Sequence, residues 1–326
     1  MDEIARIAMI ARVLAPGRGE AERVEGIEVA IGDDAAVLLA PGGGHGAARP
    51  ARPARMVWTI DEQVEGVHFR RELATWRDVG WRSFQAAASD VAAMGAKAWC
   101  ALSALVLPDS VDDAALEEIV SGQADAATAV GARIVGGNLS RGSGFSIATT
   151  LLGVCDRAVT RAGAKPGDGL WMAGQVGLAA CGLRALESGR AIGPDIMPAV
   201  DAWRRPVALV NVGLAMAGVA SAAVDVSDGL ARDVGSLAEA SGVKAALDAS
   251  ELLSDPALVK SAAAMGLEAL DLALYGGEDY ALIAASPVPI AGFRRIGGIE
   301  AGSGLVLRTR AGDSSVLVRG FDHFGK

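Results

Sequence analysis

AVDVSDGLARDVGSLAEASG, residues 223–242, decides the fold class. It reads as a strand, a turn and a helix in order, and the same alternation recurs along the chain. Within it, Asp225, Asp228 and Asp233 come behind the apolar residues Val224, Val226 and Leu230-Ala231, with Ser227 and Gly229 between them. Carboxylates this close repel one another, and burying one without a partner costs on the order of several kcal/mol. Two readings fit: a solvated helix start capped by Ser or Asp, or a bound cation.

Working outward, GIEVAIGDDAAVLLA (26–40) gives two short strand-like runs joined at Gly32-Asp33-Asp34, and PGGGHGAARPARPAR (41–55) is a Gly/Pro/Arg loop. MVWTIDEQVEGVHF (56–69) is a strand ending in a turn, residues 77–95 are helical and rich in small side chains, and ALSALVLP is a strand. Residues 111–131 form a helix stopped by Gly131. IVGG and FSIATTLLGVC are then two strands around a Gly-rich turn. After the polar, turn-forming TRAGAKPGDGLW come helices at VGLAACGLRALESG and ALVNVGLAMAGVA, the opening stretch, and a late strand in EDYALIAAS. The pattern predicts an α/β (α+β) chain in two domains, 1–155 and 156–326, as the length of 326 residues also favours.

Composition excludes several functions. With 30 basic against 39 acidic residues, the charge of −9 argues against nucleic acid as a partner. No apolar run is long and uncharged enough for a membrane span, and MDEIARIAMIARVL reads as an amphipathic helix rather than a signal peptide. The three cysteines lie far apart in apolar surroundings and are expected to be buried and reduced, which places the chain in the cytoplasm. Three histidines leave little scope for a zinc site or a histidine triad. No Walker sequence or dinucleotide fingerprint is present.

What remains is acidic. Asp33, Asp34, Asp61, Asp225 and Asp228 sit at strand-to-turn junctions, and Asp90 lies inside a helical apolar pattern, where a lone carboxylate needs a partner. Hard divalent cations such as Mg²⁺ take oxygen ligands, commonly one or two carboxylates together with substrate phosphates. A cap explains any one of these residues; the set points to metal and phosphate. The Gly-rich segments VGGNLSRG, GAKPGDG and YGGEDY could bring backbone N–H groups to a phosphate. His68, beside Phe69, reads either as packing or as a contact to a phosphate or ring. Arg141 and Arg161 are either surface charges or phosphate partners.

Taken in order, IGDDAAVL, TIDEQVEGVHF, ASDVAAMGA, VGGNLSRG, TRAGAKPGDGLW, AVDVSDGLARD, YGGEDYALI and GFDHF form a distinctive series. From about residue 20 onward the chain resembles the thiamine-monophosphate kinases, within the ATP-binding superfamily of aminoimidazole ribonucleotide synthetase. The resemblance implies N-terminal sheets pairing into a barrel across a homodimer, a C-terminal α/β domain, and ATP held between domains near that interface. It implies transfer of the ATP γ-phosphoryl to thiamine monophosphate with Mg²⁺. On the matching positions, Asp34, Thr59, Asp61, Asp90, Asp225 and Asp228 are the implied magnesium ligands, with Asp33 beside them; Asp90, Asp225 and Asp228 are the implied catalytic carboxylates. Gly137, Arg161 and Ser227 are implied nucleotide contacts, and His68, Glu278 and Phe321 implied contacts to thiamine monophosphate.

The chain departs from the family pattern in places. Asn138 stands where the family carries a metal-binding Asp, and Ile60 replaces a Thr that often precedes the ligand Asp. Leu178 replaces a common Asp, and an Arg usually found after Pro206 is missing. The alternative is therefore a catalytically weakened or repurposed nucleotide-binding member of the superfamily. Selenophosphate synthetase and the hydrogenase-maturation carbamoyl dehydratase each require a cysteine that is missing here, and EGVHF and GGEDY disfavour aminoimidazole ribonucleotide synthetase.

Overall fold

The computed structural model describes residues 5–6, 27–29, 33–39 and 55–323. Most of the expected N-terminal amphipathic helix, of which only helical Ala5 and Arg6 are described, and nearly all of the 41–55 loop lie outside them.

Six strands form the first sheet: β1 (Ile27–Val29), β2 (Ala36–Leu39), β3 (Arg55–Val64), β4 (Lys97–Leu107), β5 (Arg133–Arg141) and β6 (Ser146–Cys155), in the order β1-β2-β3-β6-β4-β5. Only β4 and β5 run parallel. Period-two alternation in β3 turns Val57, Thr59 and Gln63 inward and leaves Trp58 and Ile60 exposed. Against the inward face lies helix α1 (Trp76–Ala93), started by a Thr75–Asp78 capping box. It crosses α2 (Asp113–Ala129) at Gly80 and Gly122. A Cβ at Gly80 would stand 2.0 Å from the Ile119 carbonyl oxygen, and one at Gly122 2.0 Å from that of Arg77, so only glycine admits this approach.

The second sheet holds β7 (Gly169–Ala173), β8 (Ala222–Val226), β9 (Lys244–Asp248), β10 (Ala281–Ser286), β11 (Arg294–Glu300), β12 (Gly304–Thr309) and β13 (Gly312–Ser315). Their order is β13-β12-β9-β11-β7-β10-β8. Helices α3 (Leu178–Glu187), α4 (Met197–Arg204), α5 (Val210–Gly213), α6 (Leu230–Ser241), α7 (Ala249–Leu252), α8 (Pro256–Met265) and α9 (Ala269–Tyr275) complete it. One apolar core fills the α6 side, where Val224, Leu230, Val234 and Ile283 are buried. A second core runs from Val57 and Leu151 through Phe84, Ala88 and Val91 of α1 to Ala223 and Leu282. Helix α1 is thus packed between the two sheets, and its small residues permit contact on both sides.

Several expectations are corrected. Residues 208–220 were expected to be one helix; they form only α5 and a 3-10 turn at Leu214–Met216. The strand begun at IVGG continues through Asn138 to Arg141, so the Gly-rich turn before β6 is confined to Gly142-Ser143-Gly144. Within EDYALIAAS the strand starts at Ala281, because Glu278 and Tyr280 take left-handed φ of 65° and 50°. Of the cysteines only Cys181 is buried, while Cys100 and Cys155 are partly exposed; all three are free.

Candidate active site

The opening stretch folds as read, with β8 delivering Asp225 and the turn Ser227-Asp228-Gly229 leading into α6. Asp233 explains that turn: one of its carboxylate oxygens accepts the N–H groups of Ser227, Asp228 and Gly229, each at 3.1 Å. Asp233 is therefore a backbone clamp. Asp228, freed from capping, faces the cavity described below and pairs with Arg232 at 3.4 Å.

Carboxylate oxygens of Asp34, Asp90 and Asp225 lie within 4.8 Å of one another. Three separate elements deliver them: the segment before β2, helix α1, and β8. Ser89 donates to Asp225 at 2.6 Å and Thr59 to Asp90 at 2.5 Å, so α1 uses neighbouring residues to address both sheets. Arg161 donates from Nε to Asp34 at 2.9 Å and forms a further short bond from Nη2. Asp33 points elsewhere and accepts the Arg161 backbone N–H at 3.1 Å.

One cation among three carboxylates leaves the cluster short of positive charge. Burial, with the neighbouring Asp225 and Asp33 charges adding to it, pushes Asp34 up to about 7 against the pull of Arg161. Burial, then the charges of Asp225, Asp34 and Asp61, hold Asp90 well above the usual carboxylate range. Burial also raises Asp225, with Ser89 and Arg161 opposing, and takes Asp61 to about 7. Among the described residues, Asp34 Oδ2 is buried without a hydrogen-bond partner. An all-oxygen donor set with an orphaned buried carboxylate oxygen fits a hard divalent cation.

Beside the cluster opens a cavity of about 840 Å³, of the size that takes a small-molecule substrate. Asp61, Ser227 and Asp228 stand in its wall, together with His68, Glu278 and Phe321. His68 Nδ1 accepts the Val64 N–H at 3.0 Å, and burial lowers the ring's affinity for a proton. The neutral tautomer so fixed carries its hydrogen on Nε2. His323 bridges the aromatic groups, 4.9 Å from His68 and 4.8 Å from Phe321.

Gly137 and Asn138 are not brought to this site within one chain. Across the sheet, Asp61 aligns with Thr149, Ser103 and Gly137, three strand spacings or about 14 Å. Asn138 aligns with Ala104, Ala148 and Glu62, on the opposite face from Asp61. Both residues line a second cavity of about 660 Å³ between α2 and β5. Sequence reasoning missed Arg82, Trp203 and Asp279. Asp279 accepts the Gly177 and Ala179 N–H groups at 2.6 and 3.0 Å and so caps α3. Its place in GGEDY was the available signal; Arg82 offered none.

The fold and an acidic cluster beside a substrate-sized cavity define a class. Residues 32–155 match the family of AIR synthase related proteins, N-terminal domain. The thiamine-monophosphate kinase of Mycobacterium tuberculosis is 38% identical over 84% of this chain and 82% of that protein. That of Halobacterium salinarum is 36% identical over 83% and 84%. A solved structure described as AaThiL complexed with AMPPCP and TMP superposes with a TM-score of 0.86 at 28% identity, covering 99% of this chain and 97% of that one. The thiamine-monophosphate kinase of Stenotrophomonas maltophilia gives 0.71 at 32% identity, covering 93% and 95%. The chain belongs to the thiamine-monophosphate kinase family.

Proposed function

We propose that this chain phosphorylates thiamine monophosphate with ATP. An oxygen of the acceptor phosphate attacks the γ-phosphorus in line, the bond to the β,γ-bridging oxygen breaks, and thiamine diphosphate and ADP result. The observation that carries the reading is the Asp34–Asp90–Asp225 cluster opening beside the large cavity, in a chain of this family.

Asp34, Asp90 and Asp225, with Asp61 and Asp228 beside them, are the residues to hold Mg²⁺, and Thr59 and Ser89 orient two of them. Bound there, the metal supplies neutralisation of two crowded phosphates and alignment for transfer. The acceptor is already anionic, so no strong general base is needed, in keeping with a neutral His68 that donates from Nε2. Arg161 holds Asp34 in place and is the cation assigned in this reading to the nucleotide phosphates. Ser227 stands in a turn already stiffened by Asp233. Glu278 and Phe321 form the acceptor wall.

The same reading includes a homodimer. Ile60, 69% exposed, aligns with Thr150 and Leu102, and Trp58 lies on the same face, 48% exposed. This apolar sheet face invites a second copy. Strand β2 pairs with β3 only as far as Trp58, leaving the Thr59–Val64 edge unpaired among the described residues. Gly137 and Asn138, on the opposite edge strand, then serve a nucleotide through pairing of copies. Ile60→Glu should convert the dimer to monomer in light scattering; a wild-type monomer would remove this part of the reading.

Incubating the protein with Mg-ATP and thiamine monophosphate should yield thiamine diphosphate by chromatography, and EDTA should abolish it. Nucleotide binding without product would favour the repurposed member, for which Asn138 is the supporting feature.

A further inference from the structure

Arg82 lies in the middle of α1 and looks in the sequence like an ordinary helix-surface charge. It is instead 1% exposed. Its Nη2 donates to Glu278 Oε1, its Nη1 donates to the Trp203 carbonyl, and its guanidinium carbon lies 4.6 Å from the centre of a Trp203 ring. Trp203 Nε1 donates to the other Glu278 oxygen at 2.9 Å. Each oxygen of this carboxylate thus receives a hydrogen from a different helix, α1 or α4.

Glu278 is also held by its backbone. A non-glycine residue at φ 65° persists only where its surroundings over-determine it. Here the Glu278 N–H donates to the Ser227 carbonyl at 2.8 Å, the Tyr280 N–H to that of Val226 at 2.9 Å, and Asp279 between them caps α3. The strained loop and the buried fork together aim one carboxylate at the cavity.

We propose that Arg82 is a positioning residue for the phosphoryl acceptor. It fixes Glu278, with Trp203, so that the remaining lone pairs accept from an N–H-bearing heteroaromatic ring. The planar fork of Arg meets Glu278 and the Trp203 carbonyl at once, which the single ammonium of Lys does not reproduce. The ligand class rests on the proposed function; the placement of Glu278 does not. Because Arg82 comes from α1, the helix that also carries Asp90, the acceptor wall and the cation cluster share one rigid frame.

The test compares wild type with Arg82→Lys, Arg82→Met and Trp203→Phe, which removes the indole N–H but keeps an aromatic ring. KM for thiamine monophosphate should rise about 10–100-fold in Arg82→Met and less in Arg82→Lys and Trp203→Phe. KM for ATP should stay within about twofold, an asymmetry that a general loss of structure does not give. In a Glu278→Gln background, replacing Arg82 should add under about twofold, since both changes remove one interaction. Calorimetric titration with thiamine monophosphate, without ATP, should show the same order of weakening. If Arg82→Met does not fold, Arg82→Lys and Trp203→Phe decide. An unchanged acceptor KM in folded variants, or equal rises for both substrates, overturns the proposal. A wild type that makes no thiamine diphosphate instead overturns the functional reading; an unweakened titration in the variants would then still dispose of Arg82's role.

Discussion

The two ends of the cleft treat their carboxylates in opposite ways. Around Asp34, Asp90 and Asp225, three acids share one guanidinium and two hydroxyls, and burial drives all three toward protonation. At Glu278, one acid has a buried guanidinium and an indole N–H to itself. A carboxylate whose two oxygens are each held by its own chain is a fixed part of a wall. Carboxylates left short of positive charge are kept at a cost in stability, a cost that a bound cation would offset.

Neutralising one acid at each end should therefore give opposite results. Asp225→Asn should lower kcat about 10²–10³-fold while raising the melting temperature of the metal-free protein, because Asn keeps the Ser89 bond and removes a repelling charge. Glu278→Ala should destabilise the fold by about 3–5 kcal/mol, since it strands the Arg82 charge in the interior. Denaturant melts of both variants check the pair; a stabilised Glu278→Ala or a destabilised Asp225→Asn would erase the contrast.

A smaller effect is expected from pH. Asp34 and Asp61 rise from the ordinary 3.8 to about 7 on folding. Stability is then fully present below the unfolded value and is lost as pH rises through about 7. In EDTA, melting should occur at lower temperature at about pH 8 than at about pH 5.5, and Mg²⁺ should restore more at the higher pH. A metal-free melting temperature that is flat or rising over this range would mean that the carboxylates find partners within the chain.

Much of the cluster was legible because Asp225 after AV and Asp34 before a strand sit at junctions the local pattern marks; Asp61 was read as such a junction too but lies inside β3, which runs on to Val64. Asp90 stood out as a charge within an apolar helix, and Ser89 was its unread neighbour. The position of Asn138 was not legible, for a geometric reason. Its motif reads as a turn, whereas strand pairing carries Asn138 to the far edge and the other face of the sheet. Arg82 was illegible, since a single Arg in a helix has the same appearance whether it faces water or a carboxylate 196 residues away.

The sequence by itself determined the alternation of strand and helix, the α/β class, and an acidic, histidine-poor set of candidate site residues. Those follow from local periodicity and residue type, which act over a few residues at a time. Only the tertiary structure decided which acids converge, which one is paired, and which residues are left at the sheet's edge. The reason is that α1, made of side chains small enough to be packed on both sides, brings Ser89 to one sheet and Asp90 to the other. Contacts of that kind depend on strand order and helix packing, and no stretch of neighbouring residues encodes them alone.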